Sequence, residues 1–311
     1  MNKLSGKNIG ILCGGWSDER PVSLDSGKSA YSSLISNNLD VFLFDFKDNN
    51  INMLSNFIKS NNIDLVLNLI HGSGGEDGTV QNYLDRLSVK YIGSNSESSK
   101  LSFNKVHTKE AWLANGLKTP KYLRLSDNVS SEKIEEIFGE KFILKPCESG
   151  SSVGIKIFNT IDFYSSSSLD ILKKLSLSRA NPYDYFIEEL IIAPEYTAPI
   201  VNNQVFPIVR IETKREFYNY EAKYLDSDTI FSFPDFPEDI RENINLICMK
   251  AFNSIGCSDW GRIDFFMDEN LLINLIEINS IPGMTDHSLV PKSAKRNGLS
   301  YDQLLLFLLE N

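Results

Sequence analysis

Residues 260–287 open as Trp260-Gly261-Arg262-Ile263-Asp264-Phe265-Phe266-Met267, turn through Asp268-Glu269-Asn270, and return from Leu271 to Asn279 into Pro282-Gly283-Met284-Thr285. Two apolar runs about a short polar turn spell an antiparallel hairpin. Side chains alternate faces along a strand, so Arg262, Asp264 and Phe266 share one face, as do Glu277 and Asn279 on the partner. A tight connection of even length, centred between Glu269 and Asn270, puts those faces on the same side of the sheet. Asp264 is then expected diagonal to Glu277, roughly 7–8 Å away between backbones, a gap that acidic side chains close. Two carboxylates and an amide oxygen among apolar strands repel unless a cation sits between them. Such hard donors suit Mg2+, which combines a few carboxylates with phosphate oxygens. The alternative is a solvated polar face on an edge hairpin.

A chain of 311 residues exceeds one ordinary core and is expected to divide into two or three domains. With 42% hydrophobic and 23% charged residues it has the composition of a soluble globular protein. A net charge of −10 and a pI near 4.9 argue against a nucleic-acid surface, so an anionic ligand must be held by local Lys and Arg. Cys13, Cys147, Cys248 and Cys257 lack C-x-x-C or zinc spacing and sit in or beside apolar runs, as small hydrophobes do in a reducing cytoplasm. The apolar run Ile9 to Cys13 meets Gly14-Gly15 and then Asp18-Glu19-Arg20, too soon for a signal peptide. No apolar run nears the roughly 18 residues that span a bilayer. A cytoplasmic protein without membrane or nucleic-acid partners is expected.

Outward from the hairpin, strands are expected at Asn8–Cys13, Val41–Phe46, Asp64–Ile70 and Tyr91–Gly93. Helices are expected from Pro21 to Leu34, Met53 to Ser60 and Thr79 to Leu87. That alternation implies a parallel sheet whose ligands sit at strand carboxyl ends, beside Gly14-Gly15 and His71-Gly72. The glycine-rich loop His71 to Gly78 is no dinucleotide fingerprint, because Asp77 occupies the last glycine's place, and no Walker A sequence exists. A helix is expected from Ser98 to Gly116. An α+β segment follows, with strands Lys121–Leu125, Lys141–Pro146, Ile155–Phe158 and Tyr185–Glu188, and helices Ser131–Phe138 and Asp162–Leu175. A β-rich stretch from Glu195 to Arg215 turns at Asn202-Asn203. Helices Pro237–Ile255 and Tyr301–Leu309 flank the hairpin.

Several residues can carry chemistry. Lys145 ends a strand and precedes Glu148-Ser149-Gly150-Ser151-Ser152-Val153-Gly154, whose small residues let backbone N–H groups approach an anion; an ordinary hairpin loop has the same composition. Lys105 reads by default as a surface lysine, and Glu188-Glu189-Leu190-Ile191 as a charged loop. The unperiodic segment Leu225 to Pro237 is long enough for a lid, with Lys223 and Tyr224 at its start. His71 and His287 lie in loops fit for substrate contact, whereas His107 is an ordinary helix residue.

Together these segments resemble the D-alanine–D-alanine ligase family, of the ATP-grasp fold, from about Ile9 to Leu305. The resemblance rests on Gly14-Gly15-Trp16-Ser17-Asp18-Glu19-Arg20, His71-Gly72 with Gly75-Glu76-Asp77-Gly78-Thr79, and Lys145-Pro146 with Gly150 to Gly154. It continues through Tyr220-Glu221-Ala222-Lys223-Tyr224, Trp260 to Asp264, and Glu277 to Leu289. It implies a Rossmann-like parallel-sheet domain over 1–94, a small central α+β domain over 95–188, and a larger α+β domain over 189–311. The implied activity is ATP-dependent joining of two D-alanines through D-alanyl phosphate, with two Mg2+ (or Mn2+), in a cytoplasmic homodimer. Lys105, Lys145, Ser151 and Ser152 are then expected at the phosphates, with Glu148 and Lys223 also among the ATP residues. Glu188, Glu189 and Ile191 are expected at the adenine, and Glu195 at the ribose. Asp264, Glu277 and Asn279 match metal ligands, Glu19 with His71 the first D-alanine's site, and Arg262 with Gly283 the oxyanion site. Ser288 and Leu289 match the second D-alanine's site. Tyr224, linked through Ser151 to Glu19, closes the lid beside Lys223, and its hydroxyl argues against a lactate-using relative. Trp16, Pro21, Glu189 and Ile281 depart from the family pattern.

Overall fold

The computed structural model describes residues 4–125, 131–150, 154–163, 184–213 and 228–310. Near the N-terminus, apolar runs form strands Asn8–Gly14 (β1), Asp40–Phe46 (β2), Leu65–Asn68 (β3) and Lys90–Ile92 (β4). They pair in parallel in the order β2-β1-β3-β4. Helices Arg20–Ser36, Ile51–Ser60 and Thr79–Arg86 make the crossovers that parallel neighbours need. Pro21 lies in the first turn of its helix, where a missing N–H costs nothing.

A second sheet, antiparallel in the order β5-β8-β6-β7, comprises Tyr122–Arg124 (β5), Lys141–Pro146 (β6), Lys156–Asn159 (β7) and Tyr185–Glu189 (β8). Glu188 and Glu189 therefore end a strand, correcting the charged-loop reading. Helices Ser131–Phe138 and Thr160–Phe163 belong to this part; most of the helix expected from Asp162 lies outside the described residues.

The third sheet is antiparallel and holds the hairpin. Its strands are Glu195–Val201 (β9), Gln204–Val205 (β10), Val209–Glu212 (β11), Ile230–Ser232 (β12), Trp260–Met267 (β13) and Ile273–Asn279 (β14). The order is β12-β11-β9-β13-β14, with β10 on β9. Asn202 and Asn203, at φ 48° and 59°, make the tight turn that left-handed asparagines favour. β12 falls inside Leu225–Pro237, a segment expected to lack regular structure. β14 is the sheet's edge strand, but β13 lies between β9 and β14, so the polar face it carries is not a solvated one. Asp264 and Arg262 on it are buried.

The hairpin register differs from the expected one. Phe265 pairs with Leu275 and Met267 with Ile273, leaving an odd-length connection over 268–272, with Leu271 at φ 61°. Continued unbroken, that register sets Asp264 opposite Ile276 and turns Glu277 away. A β-bulge between Asp264 and Phe265 shifts the pairing, so Asp264 stands directly opposite Glu277 and Arg262 opposite Asn279. Leu275 consequently faces the core while Glu277, two residues on, faces the site.

On the core side, helix Glu238–Ser254 lays Ile244, Cys248, Ala251 and Phe252 against Ile263, Phe265 and Leu275. Trp112 joins them fully enclosed, its indole N–H donating to the Ala251 carbonyl at 3.1 Å. All four cysteines are free and buried, and burial raises each thiol's pKa.

The helix expected from Ser98 to Gly116 is two helices, Ser96–Phe103 and Lys105–Ala114. Asn104 is extended between them; its side-chain Oδ1 accepts from the His107 N–H (3.0 Å) and its Nδ2 donates to Glu148 Oε1 (2.8 Å). Helix Leu289–Arg296, unforeseen, follows the Pro-Gly loop. Helix Tyr301–Leu309, started by a Ser300/Gln303 capping box, buries Leu304, Leu305, Leu308 and Leu309 in the same core as Ile9, Ile11 and Leu34. No described helix is long and apolar enough to cross a membrane.

Candidate active site

Where the first and third sheets meet lies a cavity of about 630 Å³, lined by Glu19, His71, Glu76, Lys105, Arg262, Glu277, Asn279, Gly283, Ser288 and Leu289, among others. Of these ten, all but Glu76 are residues singled out from the sequence.

Glu19 precedes helix Arg20–Ser36 at the carboxyl end of the parallel sheet, where such sheets place ligands. A β-carbon on Gly150 would come within 2.7 Å of Glu19 Cδ, and one on Gly72 within 2.8 Å of Oε2. Two glycines thus leave just enough room for the carboxylate. His71 is buried, with Nδ1 2.8 Å from the Ile281 carbonyl and Nε2 3.2 Å from Ser26 Oγ. A carbonyl only accepts, so Nδ1 carries the proton. Burial holds the ring's pKa down, outweighing Glu19 and the carbonyl, and the ring is neutral. It ties the glycine-rich loop to the Pro-Gly loop, and Ser26 Oγ accepts from the Met284 N–H there.

Glu76, inside the Gly75-Glu76-Asp77-Gly78 motif, lines the cavity as well, although the sequence alone does not mark it as a site residue. It accepts from the Gly72 N–H at 2.9 Å, and burial, then repulsion from Glu19, pushes its carboxyl up to about 8. Lys28 and Lys292 also line the cavity without having been named.

Lys105 is no surface lysine. It opens its helix, with its N–H on the Cys147 carbonyl (2.8 Å) and its ammonium on the Ser149 carbonyl (2.6 Å) and Glu277 Oε2 (3.2 Å). Arg262 grips Asp264 with two parallel bonds, Nε to Oδ1 at 2.8 Å and Nη2 to Oδ2 at 2.7 Å, and Thr197 donates to Oδ1 at 2.5 Å. A carboxylate has about four acceptor positions, so Asp264 keeps capacity on Oδ2.

Fit to a divalent cation can be judged from the donors. Among the described residues no three His, Cys, Asp or Glu side chains cluster tightly enough to bind an ion by themselves. Yet Asn279 Oδ1 is buried without a hydrogen-bond partner beside Glu277, opposite Arg262 and Asp264. An orphaned buried acceptor among carboxylates fits a hard cation completed by phosphate oxygens.

Across the second sheet lies another group. Glu188, almost fully enclosed, contacts the ammonium of Lys145 and, at 2.5 Å, that of Lys109. Burial opposes its ionisation, but the two ammonium groups hold its carboxyl below the usual range. Lys109 was not foreseen, although it stands one helical turn after Lys105. Glu189 turns to the Lys121 N–H (3.1 Å). Ile191, between β8 and β9, and Glu195, the first residue of β9, are half-buried.

The remaining loop residues divide. Ser288 Oγ accepts from the Thr285 N–H at 3.1 Å and lies 2.8 Å from Thr285 Oγ1, while Leu289 packs on Val209, Ile211 and Phe231. His287 is exposed beside Asp286 at the cavity mouth, and His107 is exposed on its helix. Ser151, Ser152, Lys223 and Tyr224 lie outside the described residues. Trp16 packs edge-on to Phe46, 5.9 Å between centroids, and Ile281 is core.

The cavity thus sets carboxylates, ammonium groups and a guanidinium around a space for a small zwitterion and an anion. Comparison with known proteins agrees with that chemistry. The family models for the D-ala D-ala ligase C-terminus and N-terminus match residues 112–310 and 47–94. A D-alanine–D-alanine ligase of Saccharophagus degradans is 34% identical over 302 residues, 96% of this chain and 92% of that protein. One of Acinetobacter baumannii is 34% identical over 308 residues, 97% of this chain and 95% of that protein. The crystal structure of D-alanine–D-alanine ligase from Bacillus anthracis complexed with ATP superposes with a TM-score of 0.82 at 27% identity, covering 98% of this chain and 97% of that one.

Proposed function

This chain belongs to the D-alanine–D-alanine ligase family, with the ATP-grasp fold, and from that membership we propose the residue roles below. It is a ligase that joins two D-alanines at the expense of ATP, making D-alanyl-D-alanine for peptidoglycan synthesis. The observation that carries the site reading is one cavity holding Glu19, Lys105, Arg262, Glu277 and Asn279 together.

In the first step an oxygen of the first D-alanine's carboxylate bonds to the γ-phosphorus of ATP, the bond to the β-phosphate oxygen breaks, and ADP leaves. In the second the free amine of the other D-alanine attacks the acyl carbon. The C–N bond forms, the C–O bond to phosphate breaks, and phosphate leaves together with the one proton that the nitrogen gives up. Glu19 pairs with the first substrate's ammonium, with His71 beside it, and Ser288 and Leu289 hold the second substrate. Arg262, fixed by its two bonds to Asp264, and the Gly283 N–H face the developing oxyanion. Lys105, Lys145, Ser151 and Ser152 meet the phosphates, with Glu148 also among the ATP residues; Glu188, Glu189, Ile191 and Glu195 meet adenine and ribose. Lys223 and Tyr224 close the site against water, which otherwise hydrolyses an acyl phosphate. Asp264, Glu277 and Asn279 would hold two Mg2+ (or Mn2+), which neutralise phosphoryl charge when bound.

The domain division at 94/95 and 188/189, a homodimer and a cytoplasmic location complete the reading. Incubation with ATP, Mg2+ and D-alanine should yield dipeptide and phosphate in equal amounts. ATP hydrolysis without dipeptide would refute the ligation chemistry.

A further inference from the structure

We propose that Lys109 is a positioning residue for ATP: it neutralises Glu188 from the enclosed side, so that the Lys145 ammonium can pass to an incoming phosphate. The proposal rests on Lys145 being a phosphate lysine.

Lys109 is fully enclosed, so it cannot reach a nucleotide itself. Its ammonium lies 2.5 Å from Glu188 Oε1 and 2.6 Å from Thr119 Oγ1. Thr119 donates its hydroxyl hydrogen to the Leu275 carbonyl at 2.8 Å, which turns its lone pairs toward Lys109. The lysine is thereby fixed to β14, the strand of Glu277 and Asn279. The other oxygen of Glu188 contacts Lys145.

Two ammonium groups share one carboxylate, and the group carries an excess positive charge. With Lys145 as sole partner, Glu188 would be left bare and buried whenever Lys145 moved to a phosphate, which is strongly unfavourable. With Lys109 in place Glu188 stays paired. Lys105 and Lys109, one turn apart on one helix face, divide the work: Lys105 meets the cavity directly, whereas Lys109 frees Lys145.

Calorimetric binding of ADP and of adenosine tests the proposal. Lys109→Met should weaken ADP about tenfold or more, leaving adenosine within about twofold, because only the phosphates compete for Lys145. Lys109→Arg, which keeps the charge, should restore ADP binding. If the methionine variant does not fold, Lys109→Gln keeps a donor without the charge and carries the same expectation. Equal losses for ADP and adenosine, or a lowered melting temperature with unchanged ADP affinity, would overturn the proposal. Lys145→Met separates it from its premise. ADP binding unaffected there removes Lys145 from the phosphates, whereas weakened binding with normal Lys109→Met removes only the role of Lys109.

Discussion

Gly150→Ala is expected to damage catalysis while sparing the fold. The added β-carbon would come within 2.7 Å of Glu19 Cδ and 3.0 Å of Oε1, whereas carbon atoms settle at roughly 3.5–4.0 Å. The carboxylate must then retreat by about 1 Å. The obstacle is the end of a flexible side chain, not backbone, so the stability change should stay within about 0.5 kcal/mol. A misplacement of about 1 Å in a substrate-orienting group can nevertheless cost on the order of a hundredfold in rate. Steady-state kinetics varying D-alanine at saturating ATP should show kcat/KM falling by that order, with the urea midpoint and the KM for ATP unmoved. A variant with wild-type kcat/KM would refute Glu19 as the ammonium's partner in the place it occupies here.

Three further expectations follow from single contacts. Glu76 is raised from 4.5 to about 8, so between those values the folded protein holds a proton that the unfolded chain has lost. Substrate-free stability should therefore fall with rising pH over that window, by up to about 1.4 kcal/mol per pH unit. Glu76→Gln should abolish that slope, and parallel pH profiles in urea for both proteins would contradict it. Asn279→Leu should weaken Mn2+ binding in the presence of ADP about tenfold, read by paramagnetic resonance; unchanged affinity removes Asn279 from the metal site. Trp112→Ala should cost about 3–5 kcal/mol in denaturant unfolding, and a loss below about 1 kcal/mol would mean the site collapses around the gap.

The parallel sheet was legible because its strands are short apolar runs separated by amphipathic helices and punctuated by glycine. The hairpin was legible as a hairpin, but its register was not. Parity from an even turn aimed Glu277 correctly for the wrong reason, since an odd connection and a bulge achieve the same result. No local pattern marks the break at Asn104, which depends on Glu148 more than forty residues away. Helix Leu289–Arg296 was hidden by Pro291, which sits in its first turn. Lys109 passed unnoticed because an isolated lysine in a helix looks solvated. Only the packed strand around Glu188 turns it inward.

The helix Tyr301–Leu309 shares one apolar core with Ile9, Ile11 and Leu34. During synthesis the first strand therefore leaves the ribosome long before the leucines that seal it. At about 5–20 residues per second the interval from β4 to that helix is roughly 10–40 s. Throughout it, one flank of the parallel sheet stays uncovered and available to a chaperone. The nascent chain is completed from its far end inward.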